Sequence, residues 1–392
     1  MSDRPDQITQ TVRAGLESCD VTGAVVPPIH LSSTFAFRGF GQKRGYDYTR
    51  SGNPTRDLLA QALAELEQGA GAVVTATGMA AITLVGYLVP NGGRIVAPHD
   101  CYGGTYRLFD AWRKRGERVV DFVNFADEAA VRAALSTPAA LLWIETPSNP
   151  LLRITDIEAF AALGRASGAL VVVDNTFLSP AWQLPLRLGA DLVVHSTTKY
   201  LNGHSDVVGG AVVAGDKAVH EQLAWWANCL GVTGSPFDSY LTLRGLRTLH
   251  ARLDHHARNA FGLAQWLKEQ PNVKRVYYPG LPSHPGYDVA RRQQKGFGAI
   301  VTLELDGGHD AVREFVAGLE FFSLAESLGG VESLVAHPAT MTHAAMEPAA
   351  RLKAGLVDGL VRLSVGIEAL DDLRADLAAG LERAATVLRN VA

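Results

Sequence analysis

The sequence predicts an α/β protein, with a mostly parallel central sheet covered by helices on both faces and a smaller α+β domain after it. Two observations support this prediction. Short runs of Val, Ile and Leu alternate with stretches of helical periodicity through the first two thirds of the chain. Continuous apolar runs are typical of parallel strands that are buried on both faces. After about residue 250 this alternation ends and a long helical stretch begins.

The first 52 residues lack a regular period, because prolines such as Pro27 and Pro28 and several glycines interrupt it. The segment is nevertheless rich in aromatic residues, namely Phe35, Phe37, Phe40, Tyr46 and Tyr48. Aromatic side chains of this number favour packing over disorder. We therefore expect residues 1–52 to form an arm that packs on another surface.

The predicted central domain covers residues 53–250. Asn53 is a suitable N-cap and Pro54 suits the first helical turn, and apolar residues then recur at helical spacing up to a stop at Gly69. The predicted strands that follow are Ala72–Thr75, Arg94–Ala97, Val119–Phe122, Ala140–Ile144, Leu170–Val173, Leu192–Val194 and Gly210–Val213.

The predicted second domain covers residues 251–392. It opens with a helix over His250–Lys268, continues with strands at Val273–Tyr278 and Ala299–Leu305, and is expected to close with helical segments. In this interpretation Arg362 follows a helical stretch.

The composition of the chain excludes several classes of function. The chain has 392 residues, 47% of them apolar, and a net charge of −4, so it lacks the basic field that non-specific nucleic-acid binding requires. No apolar run is long enough to span a membrane, and the N-terminus lacks the apolar core of a signal peptide. Three widely separated cysteines suit a reducing compartment. We expect a cytoplasmic protein that acts on small molecules.

Polar side chains, and in one case the start of a helix, follow most of the predicted strands. Because ligands of open α/β sheets bind at the carboxyl ends of the strands, these residues are candidates for one site. They include Gly78 and Met79 at a helix start, Tyr102, Asn149, Asp174, and Ser196, Thr198 and Lys199.

This set has a chemical logic. A lysine amine can form a Schiff base with an aldehyde cofactor, and a carboxylate beside a pyridine nitrogen keeps that nitrogen protonated. An aromatic ring can stack on the cofactor, and a helix N-terminus can bind its phosphate. Each residue alone is more often a helix cap, a loop residue or a packing residue. Their joint placement favours a cofactor site.

The segment Asp191–Ser205, DLVVHSTTKYLNGHS, resembles the cofactor-attachment signature of the Cys/Met-metabolism enzymes that depend on pyridoxal phosphate (PLP). The similarity extends over essentially the whole chain, through blocks such as VVPPIHLSST, YDYTRSGNPTR, DCYGGTYRLFD, ETPSNPLLRITDI and LAESLGGVESL. The resemblance implies the PLP-dependent transferase fold of the aspartate aminotransferase type and pyridoxal 5'-phosphate as cofactor.

The resemblance also implies roles for individual residues. Lys199 would carry the cofactor and move protons, and Asp174 would pair with the ring nitrogen. Tyr102 would stack on the ring and assist proton transfer. Phosphate contacts would come from Gly78, Met79, Ser196 and Thr198, and from Tyr48 and Arg50 of a neighbouring subunit. Arg362 would bind the substrate carboxylate, and Asn149 and Ser327 would help to orient substrate and cofactor. Arg107 would contact the distal part of the substrate, and Glu326 lies where members of the family differ in reaction preference.

For activity, the resemblance implies γ-replacement: cysteine displaces the acyl group of O-succinyl-L-homoserine, or of another O-acylhomoserine, and gives L-cystathionine in methionine biosynthesis. Elimination from cystathionine and sulfhydrylation of an O-acylhomoserine are the alternatives within the family. The arm implies a homo-oligomer, expected to be a tetramer built as a dimer of dimers.

Three interpretations outside this activity are less favoured. A nicotinamide oxidoreductase would need a Gly-x-Gly-x-x-Gly turn after a first strand, and we find none. A catalytically silent binding protein is disfavoured by the intact Lys199, Asp174 and Tyr102. A metal site at His250, His255 and His256 near Asp254 has no support from the fold, so no metal is expected.

Overall fold

A computed structural model describes residues 5–344 and 346–391. The strands of its central sheet are β1 (Gly71–Thr75), β2 (Arg94–Pro98), β3 (Val119–Val123), β4 (Leu141–Glu145), β5 (Leu170–Asp174), β6 (Leu192–His195) and β7 (Gly210–Ala214). Each lies within one residue of its predicted bounds. The strand order is β1-β7-β6-β5-β4-β2-β3, and only β7 runs antiparallel to its neighbours. The mostly parallel sheet is confirmed.

Helices cover both faces of this sheet. The helices up to the end of the central sheet region are α1 (Gln7–Val12), α2 (Pro54–Glu67), α3 (Gly78–Gly86), α4 (Gly103–Lys114), α5 (Glu128–Leu135), α6 (Ile157–Ala166), α7 (Ser179–Trp182), α8 (Lys217–Leu230) and α9 (Pro236–Leu246). Apolar residues of α3, α4 and α8 pack with one face of the sheet, and those of α5 and α6 with the other. The alternation of apolar side chains along each strand thus fills two cores.

Helix α2 begins as predicted. The Asn53 side chain accepts hydrogen bonds from the backbone N–H groups of Thr55 and Arg56, at 2.9 and 3.3 Å. Its end differs from the prediction, because Gln68 and not Gly69 takes the left-handed conformation, with φ of 62°. Gly69 is required for another reason: a Cβ atom there would lie 2.5 Å from the Cγ1 atom of Val213 on the sheet.

The second sheet has five strands in the order β10-β11-β12-β9-β8. They are β8 (Val273–Tyr277), β9 (Ile300–Leu305), β10 (Ser323–Leu324), β11 (Leu334–Ala336) and β12 (Leu360–Ser364), and the helices around them are α10 (Leu249–Lys268), α11 (Tyr287–Gln293), α12 (Gly308–Val316), α13 (Pro348–Ala354) and α14 (Leu370–Val391). Helix α10 and the first two strands lie where the sequence predicts them.

Helix α14 closes the chain, as expected, but strands β10, β11 and β12 lie between the late helices, where the sequence predicts helical segments. Arg362 is the third residue of β12 and lies within this strand. Two of these strands have two or three residues, too short for a periodic pattern. In β12 a charged residue interrupts an apolar run that is buried along its whole length.

The N-terminal arm contains one short helix, α1, and is otherwise irregular between residues 13 and 52. Phe40 is fully exposed and Tyr48 is 49% exposed, so a large part of each side chain is left uncovered by the described residues of the chain. None of the described helices is both long and apolar enough to cross a lipid bilayer. The domain bounds 1–52, 53–250 and 251–392 stay predictions.

Candidate active site

One cavity, of about 460 Å³, lies where the carboxyl ends of the central strands face the second sheet. Twelve of the residues that the sequence singles out line it: Gly78, Met79, Tyr102, Arg107, Asn149, Asp174, Ser196, Thr198, Lys199, Glu326, Ser327 and Arg362. They come from segments that are far apart in the chain, as the strand-end rule predicts for the first sheet.

Lys199 lies in the loop that follows β6. Its Nζ atom donates a hydrogen bond of 2.7 Å to the hydroxyl of Ser327. Burial lowers the pKa of the Lys199 amine to about 8, and the positive charge of Arg362 adds to this effect, while Glu326 opposes it. An amine with this pKa is partly unprotonated near neutral pH, which both carbonyl attack and proton abstraction require.

Asp174 is the last residue of β5. Its Oδ1 atom accepts hydrogen bonds from the backbone N–H of Thr176, at 3.0 Å, and from the Thr176 hydroxyl, at 2.5 Å. Burial raises the pKa of the Asp174 carboxyl, and these two hydrogen bonds counteract the rise. A cationic ring nitrogen beside the carboxyl would favour its ionised form further.

Thr176 has no role in the prediction from sequence, although it stands in the segment that follows β5. Its hydroxyl also accepts a hydrogen bond of 2.9 Å from the backbone N–H of Ser196. Thr176 therefore bridges the ends of β5 and β6. Its position in the sequence could have indicated this role, because a hydroxyl or amide two residues after an aspartate can form a hydrogen bond with the carboxylate.

Glu145, the last residue of β4, was also given no role. It is buried in the wall of the pocket, and its Oε2 atom accepts a hydrogen bond of 2.7 Å from the backbone N–H of Tyr102. Burial raises the pKa of the Glu145 carboxyl, and the neighbouring Asp174 raises it further. Glu145 thus holds the residue whose ring is predicted to stack on the cofactor.

The predicted phosphate end of the pocket is the start of α3. The first two amides of this helix, those of Gly78 and Met79, have no acceptor within the helix because of their position. A Cβ atom at residue 78 would lie 2.9 Å from the Cβ atom of Ser196, so glycine allows the helix start and the β6 loop to meet. The Thr198 hydroxyl is engaged with the backbone of Gly209, from which it would have to turn to donate to a phosphate.

Arg362 reaches the pocket from the middle of β12 and is 3% exposed. Its Nη1 atom donates to the Oδ1 atom of Asn149 at 3.0 Å, and its Nη2 atom donates to the carbonyl of Ser327 at 2.6 Å. Among the described residues its Nε atom has no acceptor. The guanidinium therefore keeps N–H groups available for a ligand carboxylate.

Ser327 and Glu326 belong to the loop that follows β10. Ser327 has a φ of +85°, which is uncommon for a residue with a side chain, and it contacts both Lys199 and Arg362. Strain of this kind is often found where a side chain is held for function. Glu326 is exposed on the pocket wall, as is part of Arg107 from α4.

Tyr48 and Arg50 do not line this pocket. Arg50 donates to the carbonyl and side-chain oxygens of Asn228, at 2.7 and 2.8 Å, and borders a separate cavity of about 560 Å³ beside α8. The prediction that both residues serve another subunit's site stays a prediction.

The described residues contain no group of three or more His, Cys, Asp or Glu side chains placed as metal ligands. His256 is buried in α10 and contacts the carbonyl oxygen of Val365, 2.6 Å from its Nδ1 atom. This contact gives one of its two ring nitrogens a partner within the fold.

The pocket fits pyridoxal phosphate by the chemistry of its walls. Helix-start amides and the Ser196 hydroxyl suit the phosphate, the Asp174 carboxylate suits the ring nitrogen, and the Lys199 amine suits the aldehyde. The close approach at Gly78 removes side-chain bulk from the phosphate end. The cavity volume is in the range usual for cofactor sites.

Comparison with known proteins agrees with this fit. The family model for Cys/Met metabolism PLP-dependent enzymes matches residues 8–382. Cystathionine gamma-synthase of Escherichia coli is 58% identical over 380 residues, which are 96% of this chain and 98% of that protein. Cystathionine beta-lyase of Coxiella burnetii is 48% identical over 95% of this chain and 97% of that protein.

Solved structures give the same result. A crystal structure of cystathionine gamma synthase from Xanthomonas oryzae pv. oryzae, in complex with aminoacrylate and cysteine, has a TM-score of 0.97 and 59% identity, and covers 98% of this chain and 100% of that one. Cystathionine gamma-lyase from Lactobacillus plantarum has a TM-score of 0.93 and 43% identity, with 97% and 100% covered. The predicted fold class is confirmed, and the chain belongs to the Cys/Met metabolism family of PLP-dependent enzymes.

Proposed function

We propose that this chain catalyses γ-replacement: L-cysteine displaces succinate from O-succinyl-L-homoserine, or the acyl group of a related ester, and L-cystathionine is formed. One observation carries this choice within the family. The chain is 58% identical to a cystathionine gamma-synthase over nearly its whole length, while the lyases of Coxiella burnetii and Lactobacillus plantarum are 48% and 43% identical. A synthase with 60% identity and a TM-score of 0.97 was crystallised with cystathionine.

When bound, pyridoxal phosphate supplies an electron sink that stabilises negative charge on substrate carbon atoms. Asp174 would hold the proton of the ring nitrogen in place. Lys199 would hold the cofactor in the resting enzyme and, once released, would remove the Cα proton of the substrate and return it at the end. Its lowered pKa suits both tasks near neutral pH.

Arg362 would bind the α-carboxylate of the substrate and so orient the Cα–H bond toward Lys199. The Ser327 side chain and main chain connect the two residues, since its hydroxyl accepts from Lys199 and its carbonyl from Arg362. Asn149 fixes the other side of the guanidinium. Glu326 and Arg107 would contact the distal part of the substrate or the incoming cysteine.

Product analysis tests this proposal directly. Purified protein supplied with pyridoxal phosphate, O-succinyl-L-homoserine and L-cysteine should form L-cystathionine and succinate. Omission of cysteine should abolish cystathionine without abolishing binding of the ester. Cleavage of cystathionine with no synthesis from the ester would identify a lyase instead. Formation of homocysteine from the ester and sulfide alone would identify a sulfhydrylase.

We further propose a homo-oligomer, a tetramer made of two dimers, in which the arm completes a neighbouring pocket. Phe37, Phe40 and Tyr48 of the arm support this, because about half or more of each side chain is exposed in a single chain. Light scattering at micromolar concentration should give the mass of four chains, each of 41.9 kDa. A fully active monomer would contradict the proposal.

A cytoplasmic location is proposed from the cysteines, which are all unpaired. Unpaired cysteines suit a reducing compartment. Cell fractionation should recover the protein with cytoplasmic markers, and recovery from a secreted or periplasmic fraction would contradict this.

A further inference from the structure

A buried carboxylate stands behind the cofactor pocket, on the opposite face of the central sheet. Glu67, the last residue of α2, is 0% exposed and does not line the cavity. Its Oε1 atom lies 2.7 Å from the Nε2 atom of His195 and accepts a hydrogen bond of 2.9 Å from the Nδ2 atom of Asn175. Both partners are also fully buried.

The two partners are the sequence neighbours of predicted cofactor contacts. Asn175 follows Asp174 directly, and His195 precedes Ser196 directly. Because successive side chains at a strand end point to opposite faces, a residue that holds Asn175 from behind fixes where Asp174 points in front. The same reasoning applies to His195 and Ser196.

The two strand ends are therefore held on both faces. In front, the Thr176 hydroxyl donates to Asp174 and accepts from the N–H of Ser196. Behind, Glu67 joins Asn175 to His195. The separation of Asp174 and Ser196 matters, because one would bind the ring nitrogen and the other the phosphate of a single rigid cofactor.

Fold stability alone does not account for a carboxylate at this place. Burying a charged group is costly, and an apolar side chain would attach a helix to a sheet at lower cost. Among the described residues, the carboxylate of Glu67 is in hydrogen-bond contact only with Asn175 and His195, which are both neighbours of predicted cofactor contacts.

We infer that Glu67 is a positioning residue for cofactor binding, which holds the ends of β5 and β6 at the separation that the ring nitrogen and the phosphate require. The inference rests on the proposed function, in that the pocket must bind pyridoxal phosphate. It concerns a residue that touches neither the cofactor nor the substrate.

The test compares Glu67→Ala with Glu67→Gln, which retains an oxygen acceptor for Asn175 and His195. Glu65→Ala is the matched control, because Glu65 lies on the same helical turn and is exposed. Apoenzyme of each variant is titrated with pyridoxal phosphate, and the dissociation constant, the absorption maximum of the bound cofactor, kcat and KM are measured.

Glu67→Ala should weaken cofactor binding about tenfold, the effect of losing hydrogen bonds to a charged group. It should shift the absorption band and lower kcat more than it raises KM. Glu67→Gln should bring the dissociation constant back to within about threefold of the wild type, because a neutral oxygen still accepts both bonds. Glu65→Ala should match the wild type.

Thermal unfolding separates positioning from a structural role. A positioning role predicts that the rise in Tm caused by a fixed concentration of pyridoxal phosphate is smaller in Glu67→Ala, since that rise depends on affinity. Equal losses of Tm in the apo and cofactor-bound forms, with unchanged affinity, would overturn the inference. If Glu67→Ala does not fold, His195→Ala, which removes one of the two hydrogen-bond contacts of Glu67 Oε1, is measured in its place under the same criteria.

The wild-type protein separates failure of this inference from failure of the proposed function. A wild-type protein that binds pyridoxal phosphate, with variants that bind it equally well, would overturn only the role of Glu67. A wild-type protein that does not bind pyridoxal phosphate would overturn the proposed function and this inference together.

Discussion

The central sheet and the second sheet supply the pocket in different ways. The central sheet delivers side chains from the ends of parallel strands and the loops that follow them, as with Asp174 and Lys199. The second sheet delivers Arg362 from the middle of β12, which is paired on both sides with antiparallel strands. The first group would hold the cofactor and the second would hold the substrate. We therefore expect that mutations can impair cofactor binding and substrate binding separately.

The largest effect should follow from Lys199→Ala. Without the amine the cofactor loses its attachment and the substrate loses its base, so kcat should fall at least about a thousandfold. The visible absorption band of the bound cofactor should also be lost or shifted. Spectra and steady-state rates check this, with Lys268→Ala, an exposed lysine on α10, as the control. An active, yellow Lys199→Ala protein would refute the division of tasks.

Arg362→Lys should weaken substrate binding and leave cofactor binding unchanged. A lysine keeps the charge but cannot form the planar pair of hydrogen bonds with a carboxylate, so kcat/KM should fall about a hundredfold, mainly through KM. The cofactor spectrum should stay close to that of the wild type. Loss of bound cofactor in this variant would show that cofactor binding and substrate binding are not separate tasks of the two sheets.

The arm contributes a strand to neither sheet. A mixing experiment tests the proposal that it completes the pocket of a neighbouring subunit. A Tyr48→Ala/Arg50→Ala chain and a Lys199→Ala chain should each be inactive alone. After they are unfolded together and refolded, random pairing should restore roughly a quarter of the wild-type sites, since a mixed dimer has one intact site. No recovery, in a mixture shown to contain mixed oligomers, would mean that each chain completes its own pocket.

The smallest effect concerns the charge interaction between Arg362 of the second sheet and Lys199 of the central domain. Arg362 helps to lower the pKa of the Lys199 amine, which is about 8. Below this pH the amine is protonated and unreactive, and above it the amine is free. In apoenzyme, acylation of Lys199 should therefore reach half its maximum near pH 8, and at a higher pH in Arg362→Gln. A midpoint that moves down or stays would contradict the coupling.

The sequence predicted the cofactor half of the site for a physical reason. Long apolar runs mark buried parallel strands, and the residues that follow them must meet at one edge, so the pattern alone could place Asp174 and Lys199 together. The same logic placed Tyr102 and the helix start at Gly78. Resemblance to the family then supplied the roles.

The substrate half could not be derived from pattern alone. Arg362 lies in a five-residue strand whose partners have three and six residues, and nothing in its local sequence distinguishes it from a surface ion pair. Glu67 and Glu145 were missed because a glutamate at the end of a helix or strand is usually exposed. Their burial depends on contacts with residues that are far away in the sequence.

The attachment point of the cofactor is the feature on which the proposed chemistry depends most. To locate it, the resting enzyme is reduced with borohydride and digested, and the pyridoxyl-labelled peptide is identified by mass spectrometry. We predict the label on Lys199, in the peptide that follows β6. A label on another lysine, or none on a protein that turns over substrate, would contradict this assignment.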